Sequence, residues 1–243
     1  MILDLDQGNT ALKWRITDKG RCLKEGVGQL DLLARDIAGM SFSAVYLANV
    51  AGIEREAELR TLLAGSLSAI YSDGVCVAKV VDGLHGLELA YADVSSLGVD
   101  RWLIMLALWR ELASAFTVVS CGTAVTVDRV NALGRHEGGM IAPGWSLLER
   151  AVSDGMANID VGVNLAEKKQ VWGVSTSECV GLGVTCMYQS FITSIMSGFK
   201  SDESAIIMCG GGVDSVKHLL PASGQLRSNL VLDGLALLRL GAD

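Results

Sequence analysis

The chain has 243 residues, 50% of them hydrophobic and 19% charged, so it can bury a substantial core and is not a disordered segment. A net charge of −7 and an aromatic content of 5% argue against nucleic-acid and anionic-membrane partners, which call for basic surfaces and stacking platforms. An anionic ligand must then be held by local groups and not by a global field.

Ile2, Leu3 and Leu5 are strand residues, Asp6 closes the run, and Gly8-Asn9-Thr10 turns the chain before Leu12, Trp14 and Ile16 resume the pattern. A carboxylate at the lip of a strand, then a glycine turn and a hydroxyl, suits a nucleotide. Gly8 lets a phosphate approach the backbone, amides and Thr10 donate to it, Asp6 can hold Mg²⁺ through water, and Lys13 adds a cation. An ordinary hairpin with Gly-Asn at its tip accounts for this stretch equally well. Gly20 to Gly28 reads as a turn and an edge strand, Leu30 to Ile37 as a helix, Ala44 to Val50 as a buried strand, Ile53 to Leu67 as a helix and Val75 to Val81 as a strand. Strands separated by helices predict a mixed or parallel sheet with crossovers. Tyr91 to Gly98 has no clear period, and a helix with Leu103, Leu106, Ala107 and Leu112 on its apolar face runs from Asp100-Arg101 to about Ala115. A first lobe of residues 1–115 ends there, and a second, 116–243, follows with no linker.

Thr117 to Asp128 repeats strand, turn and strand, and aligns Gly122-Thr123-Ala124 with Gly8-Asn9-Thr10. A repeated phosphate loop near the midpoint suggests two related lobes with a nucleotide between them. Asn131 to Gly139 turns into a further strand, Pro143-Gly144 leads into a helix ending near Asp154, and 158–170 reads as a surface loop. A long helix starts near Ser177, with Ser175, Thr176 or Ser177 as its cap. Residues 179–199 carry no charge, yet Gly181, Gly183, Gln189 and several Ser and Thr residues make a poor membrane span, so a helix buried between lobes or subunits is expected. Ile206 to Asp214 is a strand running into three glycines, suited to the adenosine end of a ligand, and a closing helix spans 230–240. Cysteines 22, 76, 121, 179, 186 and 209 form no Cys-x-x-Cys pair, which gives neither a zinc site nor a disulfide framework. Without a signal-peptide pattern at Asp4 and Asp6, a reducing cytoplasm is expected. His85, His136 and His218 show no metal spacing and receive no role.

Asp6-Gln-Gly-Asn-Thr10, Gly98-Val-Asp-Arg101, Gly122-Thr-Ala-Val-Thr126 and Gly138-Gly-Met-Ile-Ala-Pro-Gly144 resemble, in order and spacing, the type III pantothenate kinases. These are relatives of the Bvg accessory factors within the actin/Hsp70/sugar-kinase superfamily, and the resemblance runs from Met1 to about Gly212. It implies an α/β fold of two ribonuclease-H-like (actin-like ATPase) lobes with mixed sheets and an ATP cleft, working as a cytoplasmic homodimer. It implies ATP- and Mg²⁺-dependent phosphorylation of pantothenate, the first step towards coenzyme A. Two rivals are another small-molecule kinase of the superfamily and a catalytically weak, regulatory accessory-factor relative.

The resemblance also assigns residues. Asp6, Gln7, Gly8, Asn9, Thr10, Ala11, Leu12, Lys13, Gly122 and Thr123 would contact ATP, and Asp6 would hold Mg²⁺ through water. Asp100 would accept the proton of the pantothenate hydroxyl, a role worth roughly 10²–10⁴-fold in rate. Its other reading is a carboxylate that merely stabilises a helix N-terminus. Tyr91, Gly98, Val99, Asp100 and Arg101 would contact pantothenate, Thr176 would reach it from the other subunit, and Gly138, Gly139 and Gly144 would floor the cleft. Ser120 stands where the family usually carries an aspartate that binds a monovalent cation, K⁺ or NH₄⁺. A neutral hydroxyl is a poorer ligand for a hard cation, so weak or absent K⁺ activation is expected, with Asp128 a possible substitute ligand.

Overall fold

Strict alternation along the first strand sets the layers. In the computed structural model, which describes residues 1–64, 74–155, 172–198 and 204–239, β1 (Ile2–Gln7) turns Leu3, Leu5 and Gln7 to one face and Asp4 and Asp6 to the other. It pairs antiparallel with β2 (Leu12–Asp18), which pairs with β3 (Arg21–Gly28), and parallel with β4 (Ala44–Asn49), which pairs with β5 (Val75–Val77). The order is β3-β2-β1-β4-β5. On the apolar face, Leu3, Leu5, Leu12, Trp14 and Ile16 pack with residues of α1 (Leu30–Ile37) and α2 (Ile53–Leu63). Strand β5 is shorter than the expected 75–81, because pairing with β4 ends after Ala78 N donates to Leu47 O at 2.8 Å.

The charged face of β1 meets α6 (Leu230–Leu237), which also packs on α3 (Val99–Leu112). Gly234 makes that packing close: a Cβ there would stand 2.4 Å from Leu103 O. Sequence periodicity gave α3 a single apolar face, yet Arg101 to Leu108 are all buried, since β4 and α6 both pack against the helix. The returning α6 also corrects the expected boundaries. The chain divides into Met1–Ala113 with Asn229–Asp243, and Ser114–Ser228, so the closing helix belongs with the first sheet and not with a lobe running to 243. Ion pairs fix it there. Arg15 Nη1 donates to Asp233 at 2.7 Å, and Arg239 Nη2 donates at 3.1 Å to Asp4, which is fully buried.

The second unit repeats the scheme. Strands β6 (Phe116–Cys121), β7 (Ala124–Val130) and β8 (His136–Pro143) form an antiparallel meander, while β9 (Ala205–Cys209) pairs parallel with β6 and β10 (Gln225–Leu226) parallel with β9. The order β10-β9-β6-β7-β8 is that of the first sheet read from its other edge, so the repeat inferred from two glycine turns extends to whole sheets. Its core joins Val119, Cys121, Val125 and Val127 to Tyr188, Ile192, Ile195 and Met196 of α5 (Thr176–Gly198), with Trp145 and Leu148 of α4 (Trp145–Gly155) packed against it. Helix α5 is long and apolar enough to cross a bilayer by length and composition, and one face of it lies in this core. Ser175 caps it: its Oγ accepts from Glu178 N at 3.3 Å, and Thr176 is the first helical residue. The loop expected over 158–170 lies outside the described residues.

Candidate functional site

In the first unit the site grows from the β1–β2 turn. Gly8 N donates to Ala11 O at 3.1 Å and closes the loop. The buried Gln7 side chain donates to Gly8 O, and Gln29 Nε2 to Thr10 O, both at 3.1 Å, so the turn is held from beneath and beside. Asn9 and Thr10 are left exposed. The Gln7 and Leu12 side chains are buried, which leaves their backbone to meet a ligand.

Asp6, half-buried, faces Lys13 in the strand register. Burial raises its pKa to about 6; Lys13 opposes the shift and the like charge of Asp100 adds to it. Asp100 thus shares an electrostatic field with Asp6, although 93 residues lie between them in sequence. It sits in the first turn of α3, where its Oδ1 accepts from Arg101 N at 2.9 Å and the helix N-terminus favours its charge. A Cβ on Gly98 would come within 2.7 Å of that oxygen, so glycine makes room for the carboxylate.

Arg101 was expected to contact pantothenate as an extended cation. Instead it is 4% exposed, its Nη1 donates to the Tyr91 hydroxyl at 3.0 Å, and its guanidinium lies 5.8 Å from the ring centroid. Sequence reasoning placed both residues at the site and missed their pairing. It also missed Asp93, whose Oδ1 accepts from Ser95 N at 3.0 Å and Ser95 Oγ at 2.6 Å and shapes the segment from Tyr91 to Gly98. An Asp two residues before a Ser is a recognisable turn signal.

In the second unit three glycine stretches meet. Gly122 N donates to Ala124 O and Gly144 N to Thr123 O, both at 3.0 Å, and Gly212 N donates to Cys121 O at 2.9 Å. Side chains are excluded here: a Cβ on Gly144 would stand 2.2 Å from Gly122 O, and one on Gly210, whose φ is +99°, 2.3 Å from Cys121 O. The result is a surface of bare backbone suited to phosphate and ribose. Gly138 and Gly139 do not join it. They pair with Arg129 and Asp128, whereas Pro143 pairs with Ala124 at the loop end, five residues or about 17 Å along β8.

Ser120 is half-buried near the end of β6, paired with Thr126 and Cys209. Asp128 lies two cross-strand pairs farther from the loop and holds His136, with Nε2 and Oδ1 3.1 Å apart and both side chains almost wholly buried. That contact commits Asp128 elsewhere and gives His136 a role the sequence did not suggest. Thr176 stands exposed at the start of α5. Among the described residues no group of three or more His, Cys, Asp or Glu side chains could hold a metal. The half-buried Asp6 carboxylate nevertheless fits Mg²⁺, which keeps most of its waters and takes one or two carboxylates with nucleotide phosphates.

A model of the type III pantothenate kinase family matches residues 2–198. Type III pantothenate kinases of Hahella chejuensis and Marinobacter nauticus are 34% and 36% identical to this chain, over 96% and 97% of it and 94% and 96% of their own lengths. The solved activator of the 2-hydroxyisocaproyl-CoA dehydratase from Clostridium difficile, with bound ADPNP, aligns over 98% of this chain and 93% of its own at a TM-score of 0.56. Its 11% identity makes this a likeness of fold alone.

Proposed function

This chain belongs to the type III pantothenate kinase family, and we propose that Asp100 is its proton acceptor and Asp6 its metal-side carboxylate. The reaction moves the γ-phosphoryl group of ATP to the primary hydroxyl of pantothenate and opens coenzyme A synthesis. The observation that carries the residue assignment is the shared field of Asp6 and Asp100, one at the end of β1 and the other at the start of α3. Asp100 takes the hydroxyl proton as the pantothenate oxygen bonds to the γ-phosphorus and the bond to the ADP oxygen breaks. Lys13, opposite Asp6, balances phosphate charge. Mg²⁺, when bound with ATP, neutralises phosphate oxygens, and Asp6 would hold it through water.

Tyr91 offers its hydroxyl to pantothenate with Arg101 behind it, and Gly98 and Val99 supply backbone. Gly8 to Lys13, Gly122 and Thr123 serve ATP. The working form is a cytoplasmic homodimer in which Thr176 completes the partner's acceptor site. The outward face of α5, which carries Met187, Ser190, Thr193 and Ser194 and no charge, supports that assembly. The deciding experiment is ATP-dependent turnover of pantothenate with Mg²⁺ by the native protein and by Asp100→Asn. The variant should lose roughly 10²–10⁴-fold in kcat and still bind ATP. Undiminished turnover would remove Asp100 from the chemistry.

A further inference from the structure

The Gln29 side chain stands at a helix start and does nothing for the helix. Gln29 is the N-cap residue of α1, a place where Ser, Thr, Asp or Asn ordinarily satisfies a helical amide, yet its side chain makes no capping bond. Only its backbone serves α1: Gln29 O accepts from Leu32 N at 3.1 Å and from Leu33 N at 3.3 Å. The carboxamide crosses instead to the β1–β2 turn, where Nε2 donates to Thr10 O at 3.1 Å. Its footing is firm. Leu33 and Ile37 of α1 are buried in the first core, and Gly28, which pairs with Leu12 just past the turn, leaves room for Leu32. A Cβ on Gly28 would stand 2.8 Å from Leu32 Cδ2. At the other end of the turn the buried Gln7 carboxamide donates to Gly8 O, also at 3.1 Å.

We infer that Gln29 is a positioning residue that, with Gln7, sets the direction of the turn's amides for the phosphates of ATP. The inference rests on reading Gly8 to Lys13 as nucleotide-contacting. A trans peptide is planar and points its N–H opposite to its C=O. Holding Gly8 O therefore turns the Asn9 N–H away from Gln7, and holding Thr10 O turns the Ala11 N–H away from Gln29. The N–H of Gly8 itself is taken by Ala11 O at 3.1 Å. Two carboxamides thus fix two peptide planes on either side of the exposed Asn9 and Thr10 side chains. Gln29 acts through Thr10 O, and its failure to cap α1 separates this duty from a structural one.

The test is calorimetric titration of Mg·ATP into the native protein and Gln29→Met, with steady-state kinetics for both substrates and thermal unfolding of each protein. Methionine keeps the length of the side chain and removes the donor. ATP binding should weaken about two- to fivefold, the effect of one lost hydrogen bond at an exposed site, and KM for pantothenate should stay native. The melting temperature should also stay native, because the side chain is exposed and caps nothing. Native-like ATP affinity in Gln29→Met would overturn the inference. So would a parallel rise in KM for both substrates, or a fall in melting temperature that accompanies the loss of affinity, since either marks a merely structural residue. Failure of the native protein to bind Mg·ATP would instead remove the nucleotide reading itself.

Discussion

Asp6→Asn should make the protein more stable and less able to use ATP. The folded chain holds the Asp6 carboxyl at a pKa of about 6, against the ordinary 3.8, because burial outweighs Lys13 and Asp100 adds its like charge. Two pH units at about 1.36 kcal/mol each make the ionised form about 3 kcal/mol less favourable in the folded chain than in the unfolded one. Above pH 6 the penalty is complete, since both states are ionised. As pH falls from 6 towards 3.8 the folded state takes the proton first, and the penalty disappears. Asparagine removes it only on the alkaline side. Urea unfolding of the two proteins should therefore differ by about 3 kcal/mol near pH 8 and converge near pH 4. The same ionisation should govern activity, with kcat/KM for ATP falling about tenfold per pH unit below 6 in the native enzyme. A variant no more stable than the native protein near pH 8, or a flat kcat/KM between about pH 5 and 7, would refute the picture of a carboxylate kept charged against its surroundings.

Arg239→Ala strips the buried Asp4 of its cation and should cost about 3–5 kcal/mol at neutral pH. The loss should shrink near pH 5, because burial lifts Asp4 to about 6 and lets it accept a proton; equal losses in unfolding at the two pH values would contradict this. Turnover should respond weakly to K⁺ or NH₄⁺, and Ser120→Asp should confer a saturable response; a strong requirement in the native protein would show that another group binds the cation. Mixing inactive Asp100→Asn with Thr176→Ala should restore activity as subunits exchange, to about a quarter of native sites in a random mixture. No restoration would place Thr176 outside the partner's site.

The sequence made local features legible because they repeat within a few residues. Strand alternation made β1 and β2 legible, an apolar run did so for β4, and the glycine turns at 8 and 122 marked the loops between strand pairs. What it could not show are closures between distant segments. The Arg15–Asp233 and Arg239–Asp4 pairs bring α6 back to the first sheet, and no local pattern announces ion pairs spanning more than two hundred residues. Nothing local marks Gly234 as the glycine that lies against Leu103 O. The Tyr91–Arg101 contact was hidden for a related reason: the segment between them has no regular period, so its course depends on the Asp93 turn. His136 looked idle because its partner lies across a strand pair.

The return of α6 has a consequence for synthesis. The charged face of β1 lacks its α6 cover until residues 230–237 exist, and the 115 residues Ser114–Ser228 are made first. At about 5–20 residues per second, the ribosome leaves that face open for roughly 6 to 23 s. The intervening unit is contiguous in sequence and can finish its sheet during this interval. The part of the chain translated first is thus the last to be sealed, and premature termination before Asn229 should damage the Asp6 strand more than the sheet made just before it.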